Sequence, residues 1–131
     1  MRLIDTCICI AILREKSPRI RSRFRAAMED GVAVSSITAA ELYVGVAKSA
    51  DRQRHGKAVA DLLGAVTVLP FDMRAAQAYG VIRSHLERRG QGIGPLDLFI
   101  AAHAVAEDAS LVTNNVREFS RVPTLEIENW T

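Results

Sequence analysis

Gly94-Pro95-Leu96-Asp97-Leu98-Phe99-Ile100-Ala101-Ala102-His103 reads as the start of a buried helix with an acid at its mouth. Gly94 suits the N-cap, and Pro95 suits the first helical position, where a missing N–H costs nothing. Leu98 to Ala102 are apolar on nearly every side, the pattern of a helix covered all round. Asp97 falls in the first turn. Taken alone it is explained as a charge that complements the helix dipole. The decisive question is whether other acids reach the same place.

Downstream of this stretch, the helix ends near Glu107-Asp108 and Leu111-Val112 forms a short strand. Thr113-Asn114-Asn115 turns into a helical turn through Glu118-Phe119, and Leu125-Glu126-Ile127 is an edge strand before Trp130. Upstream, the Gly90-to-Gly94 loop follows a long helix that opens at Asp72, ends at Arg88-Arg89-Gly90, and carries Ala75, Ala76, Tyr79, Ile82 and Leu86 on one face. Val66-Thr67-Val68-Leu69 is a strand ended by Pro70. Asp51 opens a helix that reaches Leu63 and closes at Gly64. Val32-Ala33-Val34 is a strand, and in the following Ser35-Ser36-Ile37-Thr38-Ala39-Ala40-Glu41 the pair Thr38 and Glu41 has capping-box spacing. The helix it opens runs to about Ser49. Ser17-Pro18 opens a helix through Met28. At the beginning Arg2-Leu3-Ile4 is a strand, Asp5 follows, and Thr6 to Leu13 is a helix for which Thr6 is a candidate cap. The β-branched content of that last segment leaves a strand reading open.

Strands alternating with helices predict an α/β fold. The expectation is a mostly parallel sheet of four to five strands with helices on both faces, in a single domain over residues 1–131. Ligands of such sheets bind outside the carboxyl ends of the strands. Asp5 follows the first strand, Glu41 stands in the first turn after the second, Asp97 opens a helix feeding the fourth, and Asn115 lies just past the fourth. Each has a local explanation: Asp5 as a cap, Glu41 as the capping-box acid, Asn115 as a turn residue. Those explanations do not predict that the four meet at one edge of the sheet. Three carboxylates gathered there would shift one another's ionisation unless a cation sat among them. Hard oxygen donors suit Mg²⁺ or Mn²⁺, and such ions serve phosphodiester cleavage.

A formal charge of +2 argues for no particular partner. Its distribution says more. Arg14, Lys16, Arg19, Arg21, Arg23 and Arg25 face a single nearby acid, Glu15, and smaller basic groups surround Arg54 and Arg88. These are candidates for phosphate contacts or solvated helix faces. Cys7 and Cys9 are too few and too close for a disulfide framework, match no zinc spacing, and read as small core residues in a reducing compartment. No signal peptide or membrane span is legible, so the cytoplasm is expected. Tyr43, Tyr79, Phe24, Phe71, Phe99 and Trp130 read as core or edge packing, and His103 as structural.

Ile4-Asp5-Thr6, Ser35-Ser36-Ile37-Thr38-Ala39-Ala40-Glu41-Leu42, Gly94-Pro95-Leu96-Asp97 and Leu111-Val112-Thr113-Asn114-Asn115-Val116-Arg117-Glu118-Phe119 together resemble a PIN-domain nuclease. More narrowly, they resemble a VapC-type toxin of a bacterial toxin–antitoxin pair, as does the ending Arg121-Val122-Pro123 to Glu128-Asn129-Trp130. The resemblance covers the chain in order. It implies an Mg²⁺-dependent endoribonuclease, with Mn²⁺ able to substitute, that inhibits translation by cutting RNA, often tRNA. It also implies neutralisation by a VapB-type antitoxin whose tail enters the active-site groove. A homodimer, a larger toxin–antitoxin assembly and operator DNA bound only through the antitoxin complete the implied partners. By position, Asp5 and Asp97 match the main metal ligands, Glu41 the third acid near the metal, and Asn115 a fourth catalytic position where many members carry Asp. Thr6 follows the matching Asp5, Thr113 matches a hydroxyl-bearing position beside Asn115, and Glu118, acidic and close by, is a further supporting candidate. Arg14, Lys16 and Arg19 are candidates to hold the RNA backbone.

Two positions depart from the family pattern. Cys7 stands where Asn is common, and a thiol is a poor hydrogen-bond donor. Asn115 carries no charge, which weakens a full second metal site. Both keep open a second hypothesis, a non-cleaving PIN-like module that binds RNA or antitoxin. A phosphoacceptor domain fits poorly, because Asp5 has no acidic neighbour and no Lys follows Lys57.

Overall fold

The computed structural model describes residues 1–131. Along the chain it forms β1 (Arg2–Ile4), α1 (Thr6–Arg14), α2 (Pro18–Met28), β2 (Val32–Ser35), α3 (Ser36–Ala47), α4 (Arg52–Ala65), β3 (Thr67–Leu69), α5 (Met73–Arg88), α6 (Pro95–Ala106), β4 (Ser110–Val112), α7 (Val116–Phe119) and β5 (Ile127–Glu128). The strands form one five-stranded sheet in the order β3-β2-β1-β4-β5. Every pairing is parallel, with Leu3 opposite Ala33 on one side and Leu111 on the other. The expected parallel α/β architecture is therefore present.

Alternating strand residues face opposite layers. Leu3, Ala33 and Leu111 pack with Ile82 and Leu86 of α5, Leu98 and Ile100 of α6, and Phe119. Ile4, Val34 and Val112 pack with Ile8 of α1, Ile20 of α2, Leu42 of α3 and Val59 of α4, where Trp130 closes the layer. A parallel sheet covered on both faces needs apolar strands at its centre, and Leu3-Ile4, Val32-Ala33-Val34 and Leu111-Val112 are apolar and buried. The chain builds outward from β1 through β2 to β3, then places β4 on the other side of β1. The crevice between β1 and β4 is thus the topological switch point, where parallel sheets bind ligands at the carboxyl edge. No helix is long and apolar enough to cross a membrane.

Several local expectations change. Of the two candidate caps of α1, Asp5 is the one used and Thr6 is not: the Asp5 side chain accepts the Ile8 N–H. Ser35, not Thr38, caps α3 by accepting the Ile37 N–H, so that β2 passes into α3 without a loop. Glu41 consequently lies in the second turn and is not a capping-box acid. Gly64 does not close α4, which continues to Ala65. Cys9 is buried as expected, but Cys7 is exposed. Tyr43 is 53% exposed rather than packed. Phe71, Tyr79 and Phe99 do pack, as a ring stack and an edge-on pair. His103 is structural as expected, with Nδ1 2.8 Å from the Ser35 hydroxyl.

Candidate active site

Asp5 sits directly at the switch point. It is 2% exposed. Its Oδ1 accepts the Ile8 N–H at 2.9 Å, and its own N–H donates to the Val112 carbonyl at 3.0 Å. The carboxylate is thereby fixed between β1 and the end of β4. Burial pushes its pKa above the usual 3.8, outweighing the Thr113 hydroxyl and the N–H groups of Ile8 and Cys7; the Glu41 charge adds to the rise.

Glu41 reaches this edge from α3. The Thr6 hydroxyl is 2.7 Å from its Oε1 and 3.1 Å from the Thr38 hydroxyl. An ionised carboxylate only accepts. The single Thr6 proton therefore goes to Glu41, and Thr38 donates to Thr6. Thr38 is fully buried, and the relay Thr38–Thr6–Glu41 ties α3 to the first turn of α1. Sequence reasoning left Thr38 out of the site. The signal lies in its three-residue spacing from Glu41, which puts both on one helix face but fits a capping box equally well.

Asp97 is half-buried in the first turn of α6. Burial, then the charges of Asp5, Glu118 and Glu41, push its carboxyl up to about 6. The charged groups acting on it are all acids, and they arrive from the β1–α1 junction, α3 and α7. Thr113, fully buried, accepts the Asn115 N–H at 3.0 Å, which leaves its proton free for Asp5. Asn115 does not cap α7 with its side chain; its Nδ2 donates to Glu118 Oε2 at 3.1 Å instead. Cys7 joins the same neighbourhood. Burial raises its thiol pKa, and Asp5, Asp97 and Glu41 raise it further.

Asp5, Thr6, Glu41, Asp97, Thr113, Asn115 and Glu118 thus assemble at one edge, from segments far apart in sequence. Of the three basic candidates, Arg14 lines a groove shared with Glu41. Lys16 and Arg19 are exposed on the α1–α2 corner outside that groove.

The donor set fits a hard divalent ion: carboxylate and hydroxyl oxygens, negative charges with no basic partner among them, and partial desolvation. No three acidic, His or Cys side chains close around a single point. An ion here would take one or two carboxylates and complete its shell with water, the habit of Mg²⁺.

An acid cluster at the switch point of a small parallel sheet is an arrangement that such a cation would neutralise. The PIN-domain family model matches residues 2–125, and the chain belongs to that family. It is 39% identical over 129 residues to ribonuclease VapC2 of Rickettsia felis, covering 98% of this chain and 96% of that protein. It is also 39% identical over 128 residues to the tRNA(fMet)-specific endonuclease VapC of Salmonella typhimurium, with the same coverage of 98% and 96%. The structure of VapBC2 from Rickettsia felis bound to a DNA fragment from their promoter superposes with a TM-score of 0.95 at 35% identity, covering 99% of this chain and 98% of that one.

Proposed function

We propose that this protein is the ribonuclease toxin of a VapBC-type toxin–antitoxin pair. It is read as an Mg²⁺-dependent endoribonuclease, active also with Mn²⁺, that hydrolyses RNA phosphodiesters and so arrests translation. The substrate class is tRNA, by similarity to the Salmonella relative that bears that specificity in its name. A VapB-type antitoxin neutralises it, in keeping with the related toxin–antitoxin structure. Homodimerisation, a larger toxin–antitoxin assembly, operator DNA reached only through the antitoxin, a cytoplasmic location and a single PIN domain over residues 1–131 belong to the same reading.

The observation that carries it is the convergence of Asp5, Glu41, Asp97 and Glu118 at the carboxyl edge of the sheet, with no basic side chain among them; burial and these neighbours push the Asp97 carboxyl up to about 6. Such a group is costly until a cation arrives. Asp5 and Asp97 would hold the ion directly, with Glu41 beside them. A bound divalent ion supplies polarisation of an attacking water and of the phosphate oxygens. Thr6 holds the Glu41 carboxylate in place through its 2.7 Å bond. The Thr113 hydroxyl and the Ile8 N–H offset part of the cost of burying the Asp5 carboxylate and fix its orientation. Asn115 fixes Glu118 at 3.1 Å, close enough for Glu118 to act on Asp97. Arg14, Lys16 and Arg19 would hold the RNA backbone.

The test is cleavage of purified total tRNA by the antitoxin-free chain with Mg²⁺ or Mn²⁺, against EDTA and the variants Asp97→Asn and Asp5→Asn. Discrete fragments that need both the metal and the two acids are expected. Undiminished cutting by both variants would sink the assignment. Tight RNA binding with no cutting under Mn²⁺ would make the chain a binding module.

A further inference from the structure

Helix α2 carries Arg19, Arg21, Arg23 and Arg25. All four are exposed, and none belongs to an ion pair. The helix packs through buried Ile20 and Ala27 and half-buried Phe24. With 3.6 residues per turn, arginines at every second position cannot share one face. Arg19 and Arg23 stand a turn apart on one flank of the buried stripe, and Arg21 and Arg25 a turn apart on the other. Between the two rows, on the outermost line of the helix, lie the small exposed side chains of Ser22 and Ala26. The solvent thus meets a low crown with a pair of guanidinium groups on either side. The acid on which Arg23 acts, Glu128, is already bonded to Arg2 at 2.7 Å, and Asp30, beyond the end of the helix, also pairs with Arg2. No residue of α2 lines the groove shared by Arg14 and Glu41, so this surface is separate from it.

Four unpaired cations on one helix are complementary to a polyanion, and the crown decides which. It has no Trp, Phe or Leu to enter a lipid surface and no aromatic ring on which an unpaired base would stack. What remains is a partner with two charged edges and a shallow floor between them. The two arginines of a row are separated by about 6 Å of helix, comparable to the step between neighbouring phosphates of one strand. A helix with its side chains is about 10–12 Å across, and the minor groove of an A-form RNA helix is wide, shallow and lined by 2′-hydroxyls. We propose that α2 is a docking helix for a double-helical RNA stem. It lies in the minor groove with Arg19 and Arg23 on the phosphates of one strand, Arg21 and Arg25 on those of the other, and Ser22 and Ala26 over the floor. The ligand's identity as RNA rests on the ribonuclease reading above. The contact lies outside the acid cluster, reads the shape of a stem and not its sequence, and selects folded RNA over an unstructured strand.

Binding is read apart from cleavage by using Asp97→Asn in EDTA. The probe is a fluorescein-labelled, blunt, mixed-sequence RNA duplex of roughly 16 base pairs, the span of known shape-reading domains, followed by anisotropy over a salt series. Removing either row, as Arg19→Ala with Arg23→Ala or as Arg21→Ala with Arg25→Ala, is expected to flatten the slope of log affinity against log salt by about 1.8, the share of two phosphate contacts on a duplex. Arg88→Ala with Arg89→Ala removes the same charge from the exposed end of α5 and is expected to leave the slope unchanged. The DNA duplex of the same sequence and either RNA strand alone are expected to bind more weakly than the RNA duplex. The α2 arginines are exposed, so their substitution does not threaten the fold, and circular dichroism checks it. In the otherwise unaltered chain, each row variant raises KM for tRNA cleavage more than it lowers kcat. Equal slopes in the row variants and the Arg88–Arg89 control, or no preference for the RNA duplex over the single strand, overturns the docking helix. Binding of the parent to phosphatidylserine vesicles that is lost in both row variants, without duplex binding, gives α2 to a membrane and overturns it too. Either result with tRNA still cut leaves the nuclease reading intact. Failure of the unsubstituted chain to cut RNA would strike the nuclease reading instead, with the duplex binding curves still deciding the role of α2.

Discussion

The Thr6 hydroxyl donates to Glu41 Oε1 at 2.7 Å, and this bond joins the first turn of α1 to the second turn of α3. It gives Glu41 one orientation at the carboxyl edge of the sheet. Thr38, on the far side of Thr6, supplies the proton that keeps the Thr6 oxygen satisfied.

Thr6→Val removes that donor while keeping the shape of the side chain. Groups that orient metal ligands are typically worth about 10–100-fold in affinity or activity. We expect cleavage to fall by about that factor and half-saturation to move to higher Mg²⁺, with Thr6→Ser close to the parent. A metal titration of tRNA cleavage checks it; an unchanged Mg²⁺ dependence in Thr6→Val would remove Thr6 from the site.

Asp97→Asn is expected to abolish cutting and to make the metal-free protein more stable. The parent holds a half-buried charge against three acids, and the amide does not. Allowing for solvent screening, the gain is about 1 kcal/mol at neutral pH. Thermal unfolding in EDTA and in saturating Mg²⁺ measures it. The variant should lead in EDTA and lose its lead in Mg²⁺, where only the parent gains an ion. A variant less stable than the parent in EDTA would contradict the electrostatic account.

Ser35→Ala should be among the costlier single-atom deletions in the core. The Ser35 oxygen accepts the Ile37 N–H at 3.1 Å and lies 2.8 Å from His103 Nδ1, wholly buried. His103 Nε2 has no partner, so the substitution leaves both ring nitrogens and one helix N–H unsatisfied. The expected loss is about 2–3 kcal/mol, read from urea unfolding at constant m-value. A loss below about 0.5 kcal/mol would mean that water replaces the hydroxyl.

Glu128 ties the last strand to the first. Burial opposes its ionisation, but the Arg2 guanidinium at 2.7 Å and the Trp130 N–H at 3.1 Å outweigh that and hold its pKa below the usual 4.5. An acid with a lowered folded pKa contributes stability above its unfolded pKa and loses it as pH falls through the folded one. The parent should therefore exceed Glu128→Gln in stability at pH 7, by at most about 1 kcal/mol for a partly exposed pair. The gap should close as pH drops below 4.5. A gap that widens in acid would reverse the sign.

Much of this architecture is legible from residues alone, because each strand is a short apolar run between helices with marked starts. Asp5 and Asp97 are legible for the same reason: they stand at junctions whose place in a parallel sheet follows from topology. Glu41 reaches the right edge by a different route from the one its spacing indicates. Ser35, Ser36 and Thr38 offer three hydroxyls within four residues, and spacing cannot tell which one caps. The choice falls to Ser35 because β2 runs straight into α3. Cys7 lies in an apolar run but faces outward from the first helical turn, and a periodicity estimate on so short a segment does not resolve its face. The link between Arg2 and Glu128 joins residues 126 apart and has no local signature at all.

The sheet order has a consequence in time as well as in space. β1 is synthesised first, yet its neighbour β4 comes near the end of the chain. The nascent polypeptide can make β1, β2 and β3 long before Thr113, Asn115 and Glu118 exist to complete the acid edge. A ribosome therefore carries this chain in an unfinished form for most of its synthesis, and the site comes into being only when the last quarter of the molecule inserts beside the first strand.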